Sequence, residues 1–187
     1  PHQAMSEKER MLSGRLYIMK DELPAAQKRA RRLVRAFNAT TEEQMEERGA
    51  LLQELFGSWG EGGYVEPPFR CDYGSHIHIG KGFYANYDCI IIDVCPVHIG
   101  DNVFFGPRVG VYTAGHPIDA SVRNRLLEFG APITIGNSVW VGGHVVINPG
   151  VTIGDNTVIG SGSVVTKDIP SNVVAVGNPC RVLRPIT

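Results

Sequence analysis

Net charge is almost absent from this chain: 18 basic and 19 acidic side chains among 187 residues leave a formal charge of −1. Nucleic-acid binders usually carry a basic excess, so a polyanion partner is not expected. No run approaches 18 uninterrupted apolar residues, and no short apolar stretch follows Met5 as in a secretion signal. Neither a membrane span nor an export signal is therefore expected. Cysteine is scarce. Cys71, Cys89, Cys95 and Cys180 form no C-x-x-C pair and are too few for a disulfide scaffold, which points to a reducing, cytoplasmic setting. Cys89 and Cys95, six apart, read as one repeat position and not as a redox pair. Pro1 to Ala4, ahead of Met5, read as an expression remnant and carry none of the reasoning.

Glycine is missing where charge is dense, and charge is thin where glycine is dense. Residues 1–56 hold 19 of the 37 charges and two of the 22 glycines; residues 57–187 hold 18 charges and 20 glycines. Two kinds of structure therefore meet near Gly57. In the first, Leu23, Ala26, Ala30, Leu33, Val34 and Phe37 fall three or four apart, which predicts an amphipathic helix. Asn38-Ala39-Thr40 interrupts it. Thr41 and Gln44 read as a capping box opening a second helix, with Met45, Leu52 and Leu55 on one side. The cluster Arg29-Ala30-Arg31-Arg32 reads as a solvated helix face, balanced by Glu42, Glu43, Glu46 and Glu47.

The second part repeats. From Ile135, every sixth residue is aliphatic: Ile135, Val141, Ile147, Ile153, Ile159 and Val165. Behind them stand Gly136, Gly142, Asn148, Gly154, Gly160 and Thr166, all small or turn-forming. The same phase appears at Ile79-Gly80, Ile99-Gly100, Phe105-Gly106 and Val111-Tyr112. A helix needs a period of 3.6 and a half-buried strand a period of two. A period of six means one short strand and one turn per repeat, the aliphatic pointing inward and the next residue tolerating the turn's backbone. Three such faces close a coil of 18 residues, and stacked coils pair as a parallel β-helix, mainly β in class, that needs capping at its ends. Ile135 and Ile153, 18 apart, then stack directly. The period breaks twice. Ile79 to Ile99 spans 20 residues, and the text TAGHPIDASVRNRLLEFGAP over 113–132 loses the pattern altogether. The organisation predicted is a helical segment over 5–56 and a β-helix over 57–187 from which a loop at 113–132 projects, beginning beside His116. Such a loop is where function concentrates.

The phrases IHIGKGFYANYDCIIIDV, TAGHP, ITIGNSVWVGGHVVINPGVTIGDNTVIGSGSVVTKDIP and GNPCRVLR closely resemble the hexapeptide-repeat sugar O-acetyltransferases, the maltose, galactoside and nodulation group, over about Lys8 to Arg184. The resemblance implies a left-handed parallel β-helix, against the usual crossover hand, and a homotrimer with active sites between subunits. It also implies acetyl-CoA as donor in a groove between subunits, and a loop reaching over a neighbour's site. His116 of TAGHP matches the catalytic base. Asp72 of CDYG and Asn86 of FYAN match acceptor-contacting positions, with Tyr84 and Trp140 lining the same pocket. Gly143, Ser161, Thr166 and Lys167 match positions along the coenzyme groove, and Arg181 and Arg184 match those near its phosphates. The galactoside members carry an acidic acceptor contact just after the aromatic that matches Tyr17; here the text is YIMKDE, with Met19 or Asp21 in that region. A second acidic contact falls on Val94, beside Asp93, which is taken as an acceptor contact instead. The DVC text is closer to the maltose members, so the acceptor implied is maltose, glucose or a similar saccharide.

A sugar hydroxyl is a poor nucleophile until its proton is removed, and an imidazole, with an ordinary pKa of about 6.5, suits that task. The expected reaction is direct transfer: His116 takes the proton, the oxygen attacks the thioester, and the Gly143 N–H stabilises the oxyanion. Lys167, Arg181 and Arg184 are three of eight basic residues after Gly57, a concentration suited to the anionic coenzyme. No metal is required. Two rivals stand beside this reading. A zinc carbonic anhydrase on the same fold needs three imidazoles on one metal; His98 and His116 are 18 apart, with no third partner in register. A solenoid binding module needs neither a loop histidine nor a basic cluster. His76, His78, His98 and His144 read as surface or turn residues, and Trp140, in an outward phase, suits an interface as well as a substrate.

Overall fold

A computed structural model describes residues 4–187; Pro1 to Gln3, part of the segment set aside above, lie outside the described residues. From Ser58 onward the chain winds through three parallel sheets in turn, one short strand per face. The first sheet holds Ile77–Ile79, Val97–Ile99, Ile133–Ile135 and Thr152–Ile153; the second holds Tyr84–Ala85, Phe104–Phe105, Trp140–Val141 and Val158–Ile159; the third holds Cys89–Ile92, Gly110–Tyr112, Val146–Ile147 and Val164–Val165. The result is a β-solenoid of about six turns. The predicted inward residues, joined by Ala85 and Ile91, form three ladders: Ile79-Ile99-Ile135-Ile153, Ala85-Phe105-Val141-Ile159 and Ile91-Val111-Ile147-Val165. All of them are buried, at 4 % exposure or less. Each buried Val or Ile contributes about 1.5–3 kcal/mol, so the ladders dominate the stability of the body.

The glycine behind each aliphatic has a different role from the one its sequence suggests. Gly100 does not sit in the left-handed region; a Cβ there would lie 2.8 Å from the backbone of Gly136 in the next coil. It is close stacking of turns that demands glycine. The left-handed conformation falls two residues later, at Asn102 (φ 56°), Ser138 (φ 56°) and Asn156 (φ 51°), where a short polar side chain tolerates it.

Three helices, α1 (Glu7–Leu12), α2 (Leu23–Asn38) and α3 (Met45–Leu55), precede the solenoid. The predicted stripe of α2 is buried at Leu23, Ala30, Val34 and Phe37. With Leu52 and Leu55 it continues the solenoid core through Phe56, Phe69 and Ile77, so the helices cap the first coil and share its core. Thr41 and Gln44 do meet, the Thr41 N–H donating to Gln44 Oε1 at 2.8 Å, but they form a turn ahead of α3. Met45 then falls in the first helical turn and is exposed, contrary to its predicted place beside Leu52 and Leu55. The reciprocal capping box lies instead at Ser6 and Glu9, opening α1. Asn38, in the last turn of α2, clamps the strand Phe69–Cys71: its amide donates to the Phe69 carbonyl (2.9 Å) and its oxygen accepts from the Phe69 N–H (2.8 Å). At the far end, the antiparallel pair Val173–Gly177 and Cys180–Pro185 covers the last coil.

All four cysteines are free. Cys89 and Cys95 do not share a repeat position. Cys89 opens a third-sheet strand, whereas Cys95 sits in a corner with its thiol donating to the Met11 carbonyl at 3.0 Å. The inserted residues described next break the register between them.

Candidate active site

Every departure from the six-residue period lies at one corner, where the third sheet hands the chain to the first. The paired positions Cys71 and Ile91 lead to the paired positions Ile79 and Ile99, a step of eight residues in each coil. After Val111, the partner of Ile91, the next first-sheet position is Ile135, the partner of Ile99, 24 residues on. The projecting loop is the third and largest insertion of a stack. It carries a short helix, α4 (Ala120–Arg123), and returns through Phe129–Gly130, which pairs antiparallel with Ala114–Gly115.

Asp93 holds this corner together from inside. It is fully buried, and one carboxylate oxygen, Oδ1, accepts the N–H groups of Asp72 (3.0 Å) and Tyr73 (2.9 Å). Its other oxygen, Oδ2, has no partner among the described residues. Burial, aided by the Asp72 charge and opposed by the two N–H donors, raises its pKa to about 7. His76, which read as a surface or turn residue, is buried and donates from Nδ1 to the Asp93 carbonyl at 2.6 Å. Desolvation lowers its pKa. Thr113 ties the next coil in, accepting from the Cys95 N–H and donating to the Ile92 carbonyl at 2.7 Å.

A cavity of about 380 Å³ opens on this corner, lined by Tyr17, Met19, Gln27, Asp72, Ile92, Val94, Ala114, Gly115, His116 and Glu128. Beyond His116, Met19 and Glu128 it adjoins a second recess of about 430 Å³ bounded by Ile18, Arg123 and Leu126. The His116 imidazole is 61 % exposed and turns Nδ1 toward Glu128 Oε1 at 3.9 Å. The wall is completed by the N-terminal segment: Tyr17 and Glu128 exchange both backbone hydrogen bonds, 2.9 and 3.0 Å. The Tyr17 phenol has its pKa raised by burial and by the Glu128 carboxylate. The Asp72 carboxyl is also raised, by burial, against the lowering effect of Arg31. The cavity thus combines one imidazole with two carboxylates, an amide and several apolar faces, an arrangement suited to a polyhydroxylated ligand losing one proton.

The remaining sequence-derived candidates do not join this cavity within one chain. Asp93 lies beneath it, supporting Asp72. Tyr84 and Trp140 face outward from the second sheet, in register on either side of Phe104. Asn86, Gly143 and Ser161 occupy the next corner, between second and third sheets, with Arg181 and Arg184 on the strand that ends the second sheet. Thr166 and Lys167 follow the last third-sheet strand, at the same corner as His116 but two coils on. The candidates therefore form two groups on two corners of a triangular column. No group of three His, Cys, Asp or Glu side chains placed to hold a metal occurs among the described residues. His98 stacks on His78, ring centroids 4.9 Å apart, and is in register with Thr134, because the loop carries His116 out of the coil.

Glu128 and Gln27 went unrecognised in the sequence. The signal for Glu128 was faint: it is one of two carboxylates, with Asp119, in the loop that begins at the histidine. Gln27 lies on the polar side of the α2 stripe and carried no signal.

Comparison with known proteins agrees with this architecture. The maltose acetyltransferase hexapeptide capping motif matches residues 10–60, and the bacterial transferase hexapeptide, six repeats, matches residues 132–167. A galactoside O-acetyltransferase of Escherichia coli is 50% identical over 179 residues, 95% of this chain and 88% of that one. The crystal structure of a maltose O-acetyltransferase from Clostridium difficile superposes with a TM-score of 0.97 at 56% identity, covering 99% of this chain and 100% of that one. A galactoside acetyltransferase in complex with coenzyme A superposes with a TM-score of 0.96 at 50% identity, covering 98% and 92%. The stack of hexapeptide coils and the helical cap are thus those of relatives matched along nearly their whole length, and the chain belongs to the hexapeptide-repeat sugar O-acetyltransferases.

Proposed function

We propose that the chain transfers an acetyl group from acetyl-CoA to a hydroxyl of maltose, glucose or a similar saccharide, with His116 as general base. The observation that carries this reading is the His116 imidazole at the mouth of a polar-walled cavity, Nδ1 turned to Glu128 and Nε2 left for the acceptor. With Nδ1 on the Glu128 side, Nε2 is the nitrogen that acts as base in this reading. Nε2 takes the hydroxyl proton as the sugar oxygen attacks the thioester carbonyl; the tetrahedral intermediate collapses, the C–S bond breaks, and the imidazolium returns the proton to the departing thiolate. The Gly143 N–H, which donates no hydrogen bond among the described residues, is the proposed oxyanion donor.

His116 and Gly143 lie on different corners, and in this reading each site is made by two chains of a homotrimer, which the separation of the two candidate groups supports. The exposed second-sheet aromatics Phe104 (51 %) and Trp140 (57 %), with Tyr87 (53 %) at the adjoining corner, supply an apolar stripe for such an interface. Residues 5–56 cover the acceptor end of the 57–187 solenoid, with Asp72, Tyr84, Asn86 and Trp140 disposed about the acceptor. Ser161, Thr166, Lys167, Arg181 and Arg184 follow the coenzyme toward its phosphates. No helix among the described residues is long and apolar enough to cross a membrane; the four free thiols suit the cytoplasm as the place of action.

A turnover screen with acetyl-CoA against a sugar panel, reading released thiol, tests the activity. His116→Ala is expected to lower turnover by roughly 10²–10⁴ while leaving the KM for acetyl-CoA unchanged. Wild-type-like turnover in that variant refutes the assignment.

A further inference from the structure

A cavity larger than the one at His116 lies elsewhere on the chain. About 750 Å³ in volume, it lies between α2 and the outer face of the third sheet. Three arginines line it: Arg31 and Arg35, one turn apart on α2, and Arg70 on the strand Phe69–Cys71. None of the three has a carboxylate within 4 Å, and none donates a hydrogen bond among the described residues. Their neighbours do not neutralise them. Asp72 is the only acidic residue in the lining, the Asn38 amide is engaged by Phe69, and burial keeps the Cys71 thiol protonated. Arg31, Arg35 and Arg70 are solvent-exposed, but they line one concavity from two elements, α2 and the strand Phe69–Cys71, with a single carboxyl among them. Arg29 shows the contrast, donating from the same cluster to the Glu54 carbonyl at 2.9 Å.

The cavity adjoins the site. Asp72 and Ile92 line both this cavity and the one at His116. Across the Asp72 carboxyl the surroundings change sign, from Arg31, which lowers its pKa, to Glu128, which raises it. A saccharide with one hydroxyl at His116 would extend past Asp72 toward the arginines, into a volume within the usual range of small-molecule sites.

We propose that this cavity is a second acceptor subsite, in which Arg31, Arg35 and Arg70 bind a carboxylate or phosphate carried by the saccharide away from the hydroxyl being acetylated. The proposal rests on reading the His116 cavity as the acceptor site. Guanidinium forks suit both oxyanions, and an unpaired arginine already facing the ligand loses little in forming the bond. The coenzyme's own phosphates are assigned elsewhere, to Lys167, Arg181 and Arg184 on the last coils.

The test compares maltose, maltose 6′-phosphate and a disaccharide ending in a uronic acid, measured both by acetyl-CoA turnover and by calorimetric binding to the full chain. Either anionic sugar is expected to show kcat/KM and affinity about tenfold above maltose at low salt, an advantage that shrinks as salt is added. Which of the two gains more identifies the oxyanion. R35Q/R70Q is expected to abolish the advantage, with maltose turnover, the KM for acetyl-CoA and the melting temperature unchanged. Three results overturn the subsite: equal affinity for charged and neutral sugars, an advantage that survives in R35Q/R70Q, or a rise in the KM for acetyl-CoA in that variant, which gives the arginines to the coenzyme. If no sugar is acetylated, the acetyltransferase reading fails; the calorimetric comparison still decides whether the arginines bind an anionic sugar.

Discussion

Asp93→Asn removes one oxygen's charge from the base of the site and should change how stability depends on pH. In the folded chain burial lifts the Asp93 pKa from 3.8 to about 7. Below pH 4 the carboxyl is protonated in both folded and unfolded states and costs nothing. Between pH 4 and 7 the unfolded chain releases its proton while the folded chain keeps it, so stability falls by about 1.4 kcal/mol per pH unit. Above pH 7 both states are ionised and the deficit levels off at about 4 kcal/mol. Asn is neutral throughout, and its oxygen still accepts the Asp72 and Tyr73 N–H groups. The advantage of Asp93→Asn over wild type should therefore grow by about 2.5 kcal/mol from pH 5 to pH 8, or about 5–10 °C in melting temperature for a chain of this size. Urea unfolding of both proteins at fixed protein concentration and several pH values measures it. A difference that stays flat with pH, or a variant that loses ground as pH rises, refutes the account of Asp93 as a proton-holding buried carboxyl.

Two further substitutions test what the sequence did not announce. Glu128→Gln removes the carboxylate 3.9 Å from His116 Nδ1; because both groups are partly exposed, the loss should be about 1 kcal/mol, or roughly fivefold in kcat, with the KM for acetyl-CoA unchanged. Steady-state kinetics decide this, and an unaltered kcat removes Glu128 from the orientation of the imidazole. Asn38→Ala leaves the Phe69 N–H and carbonyl without their partners and should destabilise the chain by about 2–3 kcal/mol, seen as a lower urea midpoint.

The legible parts of this chain are those governed by a local period. Inward positions such as Ile135 and Ile153 declare themselves because every sixth residue must be apolar, and α2 declares itself because its stripe runs over four turns. α1 escaped notice because six residues are too few to show a period, although Ser6 and Glu9 spell out its cap. Met45 was misplaced because the helix opens there, one turn before its apolar face begins. What no local pattern conveys is long-range closure: Tyr17 meets Glu128, and Asn38 meets Phe69, only because the solenoid brings distant turns together. His76 read as a surface residue for the same reason, since the backbone carbonyl that holds it belongs to the next coil.

The two-residue slip before Ile99 was visible in the sequence, but its consequence depends on register. Stacked coils place every insertion of one phase on one corner, so the eight-residue steps after Cys71 and Ile91 and the long loop after Val111 reinforce one another. A tight six-residue turn leaves room for little beyond its own backbone. Two added residues per coil let Asp93 reach back to the Asp72–Tyr73 backbone while Asp72 lines the cavity above it. The opposite corner, carrying Asn86, Gly143 and Ser161, keeps the strict period and offers only backbone and small side chains. Such a surface suits an extended chain such as a coenzyme arm lying along it. One corner builds a chemical pocket and the other a smooth track, and because both are rigid parts of the same column they cannot turn toward each other. In the proposed reaction, which draws on both, the two corners come from neighbouring chains, and the repeat that makes the fold legible is also what holds the two candidate groups apart.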